Sequence, residues 1–343
     1  MIARRRLLQA GGALLGAGLD LPVSRLAFAQ GPLMSIPGAY SAPGLAYAGL
    51  FIANRRKLWA EQGLDPVLKQ VQGGALAMVT LNSGDSDFVG VASTDAMISW
   101  DRGLRLKVVA AFYGSLTIQL TARREWLEKS AVSPTSKIDD KVRSLKGVRI
   151  GSSSLGGGPP QYLRFLGSQY GLQESDIVIT SVGQGPARIA ALREGRVDMV
   201  LGGAPEADQI ALDGYGDLFI NFSEIPIFKT FPFTVVAVKE ELAAKDPDRV
   251  RKVARTIGKA NDFIRNNFDE AVRELQAQFP RINPEAIRRA MARDIDAIPA
   301  GARMTEEMWV NGAKCAEGMK AVKTPPPVKK GEFWTNSFLG ETW

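Results

Sequence analysis

The stretch LMSIPGAYSAPGLAYAGLFIANRRKLWAEQG, residues 33–63, sets the reading of the whole chain. Residues 33–37 are short and apolar, as a buried strand is. Residues 40–44 bring Tyr40, Ser41, Ala42, Pro43 and Gly44 together as a turn. Apolar residues then recur at Leu45, Ala48, Phe51, Ile52, Leu58 and Trp59, the spacing of a helix with one buried face. Gly63 stops that helix, because glycine accepts the left-handed backbone that a helix end needs. Strand, turn and helix in this order form the repeating unit of an α/β fold.

Outward from that unit the pattern repeats. Strands are expected at 66–71, 88–92 and 106–112, with helices at 73–83 and 94–101, the second capped by Ser93 or Thr94. A further apolar strand at 116–122 leads to a second series. There, 146–150 opens a strand, 151–160 is a Ser- and Gly-rich turn, and 161–170 is a helix closed by Gly171. Strands at 177–182 and 197–201 alternate with helices at 187–194 and 205–212. Segments 219–222 and 233–238 read as strands that cross back, with 225–232 between them as a hinge. Beyond Pro247 the chain is mostly helical, divided by Pro280, Pro284 and Pro299. The expectation is an α/β protein of two lobes joined by two crossing strands, with a ligand cleft between them. Lobe 1 would comprise 30–117 and 230–343, and lobe 2 would comprise 118–229. A chain of 343 residues suits two domains of ordinary size.

Composition excludes more than it includes. With 45% apolar and 23% charged residues, the chain has the make-up of a folded protein, neither disordered nor membrane-embedded. The formal net charge is +7, but Arg4, Arg5, Arg6 and Arg25 face Asp20 alone in residues 1–29, so a net three of those charges belong to that stretch. Elsewhere Lys and Arg alternate with acids, which points to solvated helix faces and away from nucleic acid. The chain has no histidine, which removes Ser-His-Asp and Cys-His catalysis and histidine-bound zinc. Cys315 is the single cysteine, so neither an intrachain disulfide nor a thiolate cluster can form. No metal or cofactor is expected.

The first 29 residues read as an address. A basic run at Arg4, Arg5 and Arg6 precedes a Gly-softened apolar stretch at 7–21, and Ala27-Phe28-Ala29 precedes Gln30. That is the order of a cleaved signal peptide, and the run RRRLLQ is similar to a twin-arginine signal. The apolar stretch is shorter than the roughly 20 residues that span a bilayer. A soluble periplasmic protein, cleaved after Ala29, is expected.

Candidate site residues fall at four turns that follow strands and precede helices: 40–44, 93–94, 152–158 and 202–205. In open α/β sheets ligands bind beyond the carboxyl ends of strands, where helix N-termini offer unpaired N–H groups. Ser41, Ser93, Thr94, Ser152, Ser153 and Ser154 supply hydroxyls there, while Tyr40 and Tyr113 supply flat walls with polar tips. Each of these residues taken alone also suits an N-cap or turn role. Residues 151–156 lack the Gly-Lys-Ser/Thr ending of a P-loop, and Arg188 stands where a dinucleotide fingerprint starting at Gly183 needs a small residue.

The helix AYAGLFIANRRKLWAEQGLDP at 46–66, LKGVRIGSS at 145–153 and ALREGRVDMVLGGAPEA at 191–207 resemble the nitrate/sulfonate/taurine group of ABC-transporter substrate-binding proteins. The resemblance implies the type II periplasmic binding protein fold, a small anionic solute, a partner permease and ATPase, and a monomer without enzymatic activity. It implies a pocket at Tyr40, Ser41, Ala42, Ser93, Thr94, Ser152, Ser153, Gly156 and Ala204. Glu206, beside Pro205, would repel an anion unless it points away or is paired; otherwise it signals an amine. Two alternatives stay open. One is a pyrimidine synthase of thiamine biosynthesis on the same fold, an activity that depends on a histidine absent here. The other is the ligand-binding subunit of a sensor.

Overall fold

The computed structural model describes residues 32–155 and 158–340; the expected signal segment and Gly156 lie outside the described residues. The first series of elements is β1 (Met34–Tyr40), α1 (Ala48–Arg55), α2 (Leu58–Glu61), β2 (Leu64–Gln70), α3 (Gly74–Ser83), β3 (Phe88–Ala92), α4 (Ser93–Asp101) and β4 (Leu106–Tyr113). The second is β5 (Ile118–Arg123), α5 (Arg124–Lys129), α6 (Ile138–Arg143), β6 (Arg149–Ser152), α7 (Gly158–Gln169), β7 (Val178–Ser181), α8 (Pro186–Arg193), β8 (Met199–Gly203), α9 (Glu206–Leu212) and β9 (Gly216–Asn221). The chain then returns through α10 (Pro226–Lys229) and β10 (Thr234–Lys239). It ends in α11 (Glu240–Lys245), α12 (Pro247–Asn266), α13 (Phe268–Gln278), α14 (Pro284–Asp294) and α15 (Glu306–Gly318).

Two five-stranded mixed sheets result, ordered β2-β1-β3-β10-β4 and β7-β6-β8-β5-β9. Each carries a parallel run through its first three strands, and one antiparallel strand inserted beside it. The inserted strand is the one that has just crossed from the other half of the chain: β5 on the way out, β10 on the way back. This is the two-lobed α/β architecture that the alternating pattern implied.

The details of the crossing differ from the expectation. Segment 219–222 does not cross; 219–221 belong to β9, which pairs with β5, and Phe222 opens the 3-10 turn Phe222–Glu224. The crossings are 114–117 and 231–233, which have no strand assignment yet bond to one another. Phe231 N–H donates to Gly114 O, Leu116 N–H to Phe228 O, and Phe233 N–H to Tyr113 O. The expected helix over 45–62 is also broken. Residues 45–47 form a 3-10 turn, and Lys57 takes φ 56° between α1 and α2, where Arg55, Arg56 and Lys57 crowd three cations into a row.

Packing follows the helix faces. Phe51, Ile52 and Trp59 bury against Ile36, Phe88 and Val236 in the core of the first sheet, joined there by Val253, Ile257 and Ile264 of α12 and Ile287 of α14. Tyr162, Phe165, Leu201, Phe219, Phe228 and Phe231 fill the core of the second sheet, and Cys315 of α15 reaches into it. Pro247 and Pro284 sit at helix starts, whereas Pro280 follows the end of α13 and Pro299 precedes the 3-10 turn Ala300–Ala302. Asp246 caps α12 through Arg249 N–H with Pro247 at the first helical position, and Asn283 caps α14 with Pro284 likewise.

Candidate functional site

The strand order places the candidate turns. In each sheet the chain runs outward to one side of a first parallel strand and then to the other, so the switch point lies between β1 and β3 and, in the second sheet, between β6 and β8. Ligands in open α/β sheets collect at such points, beyond the carboxyl ends of the strands. Those ends are Tyr40 and Ser41, Ala92 and Ser93, Ser152, and Gly203 and Ala204. Three of the four expected turns are therefore strand ends flanking a switch point in the first or second sheet, and 202–205 completes the second pair.

On the first sheet, Tyr40 is half-buried and meets Phe51 edge-on at 5.7 Å. Ser41 Oγ lies 2.6 Å from the hydroxyl of Tyr47. The Tyr47 ring lies over Gly90, where an added Cβ would sit 3.1 Å from the ring. Burial pushes the Tyr47 hydroxyl pKa well up. Ala42 packs beside this core cluster. Ser93 is fully buried, its N–H donating to Phe233 O, and its Oγ has no hydrogen-bond partner. It does not cap α4, whose N-cap is Ala92 with no side-chain cap bond. Thr94, also buried, accepts a hydrogen bond of 3.3 Å from the hydroxyl of Tyr162 on α7, so helices following different sheets touch here.

On the second sheet, Ser152 is fully buried and its Oγ too lacks a partner. Ser153 is half-buried and its carbonyl accepts from Ser181 Oγ, while Ser154 is exposed. Ala204 packs against the core of the first sheet. Glu206 is paired: Arg188 Nε and Nη2 each donate to it at 2.7 Å, and Arg188 Nη1 donates to Leu201 O. Gly202 leaves room for this pair, since a Cβ there would come within 2.8 Å of Glu206. The acid therefore contributes no free negative charge.

Tyr113 is not a wall of the same group. It is buried in the core of the first sheet, its hydroxyl pKa raised by burial and by the nearby Asp294. Asp294 belongs to a second contact between the lobes. Arg293 of α14 donates to both oxygens of Asp208 on α9, at 2.7 and 2.9 Å, and its Nε lies 3.4 Å from Asp294. The Gln119 amide, oriented with its oxygen toward Arg293, accepts from the same guanidinium at 2.6 and 3.2 Å. Burial pushes Asp294 up to about 7, and the surrounding carboxylates hold Arg293 charged.

Sequence reading missed Tyr47, Asp95, Tyr162, Asp208 and Arg293. Tyr47 and Asp95 stood within two expected turn-helix units, but nothing in a helical period shows which polar residue turns inward. Arg293 and Asp208 are 85 residues apart and carried no local signal. Among the described residues no group of His, Cys, Asp or Glu has a metal-holding arrangement. Nor is any described helix long and apolar enough to cross a membrane.

Comparison with known proteins bears on this geometry. No curated protein sequence matches the chain. A structure from Bordetella bronchiseptica RB50 superposes with a TM-score of 0.73 at 18% identity, covering 89% of this chain and 95% of its own. The alkanesulfonate-binding protein SsuA from Xanthomonas axonopodis pv. citri bound to MOPS gives 0.66 at 18% identity, with 86% and 95% covered. The periplasmic nitrate-binding protein NrtA from Synechocystis PCC 6803 gives 0.59 at 12% identity, with 74% and 69% covered. At these identities the likeness shows the fold, that of periplasmic binding proteins. The model of the NMT1-like family matches residues 42–279, which include the switch point of the second sheet and every described candidate turn except the first residues at Tyr40 and Ser41. With that match over more than half its length, and with the two-sheet fold of these binding proteins, the chain belongs to the NMT1-like family.

Proposed function

We propose that the chain is a receptor that captures one small solute between its two lobes and delivers it to an ABC importer. The observation that carries this reading is the meeting of polar turns at the two switch points. Thr94 and Tyr162 touch across the lobes, and the hydroxyls of Ser93 and Ser152 are buried without partners. Leaving such a group unsatisfied costs about 1–3 kcal/mol, a cost that a hydrogen-bonding solute recovers. Among the similar structures, two are named as alkanesulfonate- and nitrate-binding proteins, and a ligand-binding component of an ABC-type import system from Staphylococcus aureus has zinc bound.

In this reading residues 30–117 with 230–343, and residues 118–229, move as two bodies about the bonded crossings 114–117 and 231–233, closing on solute as a hinge. The working site is Tyr40, Ser41, Ala42, Ser93, Thr94, Ser152 and Ser153, with Ala204 at its edge and Ser154 at its rim. The twin-arginine-like segment at 1–29 supports export to the periplasm, and the ABC import component among the similar structures supports a permease and an ATPase as the partners of a monomeric receptor. A catalytic role has no support, since the pyrimidine synthase activity known on this fold needs a histidine. An anionic solute, expected from the resemblance, has less support than a hydrogen-bonding one. Arg188 and Arg293, which the fold brings to these turns, are already held by carboxylates.

Native mass spectrometry of the purified protein after exposure to a small-molecule extract tests the reading. One solute per chain is expected, released unchanged on unfolding. Chemical conversion of the solute, or no adduct at any extract concentration, would count against it.

A further inference from the structure

Asp95 has a place in the fold that the receptor reading alone does not explain. It is the third residue of α4, and its carboxylate rests against the start of α3. A Cβ on Gly74 would come within 1.8 Å of Oδ2 and 2.6 Å of Oδ1, so only glycine at 74 leaves the carboxylate its space. The hydroxyls of Tyr47 on one lobe and Tyr162 on the other both lie near enough to feel its charge. The Ala92 N–H donates to it, and no lysine or arginine among the described residues forms an ion pair with it. Burial pushes its pKa up to about 6.

An acid in a helix's first turn ordinarily favours the helix dipole from the surface. Asp269 of α13 and Glu306 of α15 do so, both exposed. Asp95 is instead half-buried between groups of both lobes. Its neighbour Ser93 is fully buried with an unpartnered hydroxyl, an independent sign that something polar belongs there, and Ser152, at the end of β6 on the opposite lobe, is buried without a partner in the same way. A carboxylate taken from water without a counter-charge is unfavourable, and such groups concentrate where a ligand supplies what is missing.

We propose that Asp95 selects the charge of the solute, so that the receptor takes a molecule presenting a protonated nitrogen, an ammonium or amidinium group, to the start of α4. This rests on the receptor reading and reverses the anionic preference that the resemblance implied. The nitrogen donates to Asp95, the solute's remaining polar atoms engage Ser93, Thr94 and Ser152, and the Tyr47 and Tyr162 rings bound the space. A hydrogen bond to an ionised partner contributes more than a neutral one, so removing the charge weakens binding about tenfold to a hundredfold.

The test is calorimetry and thermal melting of wild type and Asp95→Asn with two probe sets: benzamidine, benzylamine and agmatine against benzoate, methanesulfonate and nitrate. At least one cation should bind wild type and lose tenfold or more with Asp95→Asn, while the anions bind weakly or improve. Binding of a cation with affinity unchanged in Asp95→Asn overturns the assignment and leaves the receptor reading standing. Anions binding wild type in preference to cations overturn it likewise, and that arm decides the matter should the variant fail to fold. A chain that binds no probe of either charge and carries no solute from the extract overturns both.

Discussion

Replacing Arg293 by Met keeps the apolar stem of the side chain and removes the charge that joins α14 to α9. The Asp208 and Asp294 side chains, 9% and 2% exposed, then face each other without a counterion. Breaking a buried pair by removing one partner costs about 3–5 kcal/mol. Arg293 is itself 20% exposed, which places this pair at or below the lower end, about 2–3 kcal/mol. Opening of the lobes returns Asp208 to water and relieves most of that cost, so the loss should fall on the closed state and not on the fold. About 2 kcal/mol corresponds to roughly a thirtyfold shift toward open. Asp294 adds a pH dependence of definite sign. Burial raises its pKa to about 7, so its ionised form is the unfavourable one and protonation relieves the strain. The variant should therefore open more at pH 8 than at pH 6. Spin labels on Glu128→Cys of α5 and Ala244→Cys of α11, both exposed positions, would read the interlobe distance directly. An unchanged distance distribution, together with no coupling between Arg293→Met and Asp208→Asn in a double-mutant cycle, would refute the latch.

Three further outcomes follow from the same geometry. Ser93→Ala and Ser152→Ala remove hydroxyls that make no bond in the empty protein, so unfolding stability should hold within about 0.5 kcal/mol while solute affinity falls severalfold; a loss of about 1 kcal/mol without solute would instead mark them as caps. Glu206→Ala leaves the buried Arg188 with only the Leu201 carbonyl, and denaturant unfolding should show a loss of about 2–4 kcal/mol, whereas wild-type stability would mean the pair is idle. Because burial raises Asp95 to about 6, its ionised form is costly above that pH and the cost vanishes below it, so the melting temperature of empty wild type should gain on that of Asp95→Asn as pH falls from 8 to 5; a constant difference would contradict the burial of this carboxylate.

The fold was legible because its signal is local. Each strand-helix unit announces itself within about 15 residues, as at 33–63, and glycines such as Gly63, at φ 73°, mark the ends. The crossings were legible only in part: 225–232 reads as a hinge, but nothing local shows that 114–117 bonds to 228–231 across more than a hundred residues. The candidate turns are strand ends in the structure, but which residue in a turn points inward depends on tertiary packing: the sequence singles out Ser93 and Ser152, which are buried with unpartnered hydroxyls, and gives no sign of Tyr47 or Asp95. Tyr113 shows the converse. Its tip and its position just after the expected strand at 106–112 suggested a wall, yet β4 runs on through Tyr113 and, buried on both faces, carries it into the core. Glu206 was recognised as a conflict, and Arg188, eighteen residues earlier, resolves it.

The central claim is that one solute is held by both lobes at the two switch points. Amide hydrogen exchange with and without the solute released from the native protein measures this most directly. New protection is expected together at residues 40–44 and 93–95 of one lobe and 152–155 and 203–206 of the other, with the rest of both sheets unchanged. Protection confined to one lobe, or none at either switch point at saturating solute, would contradict it.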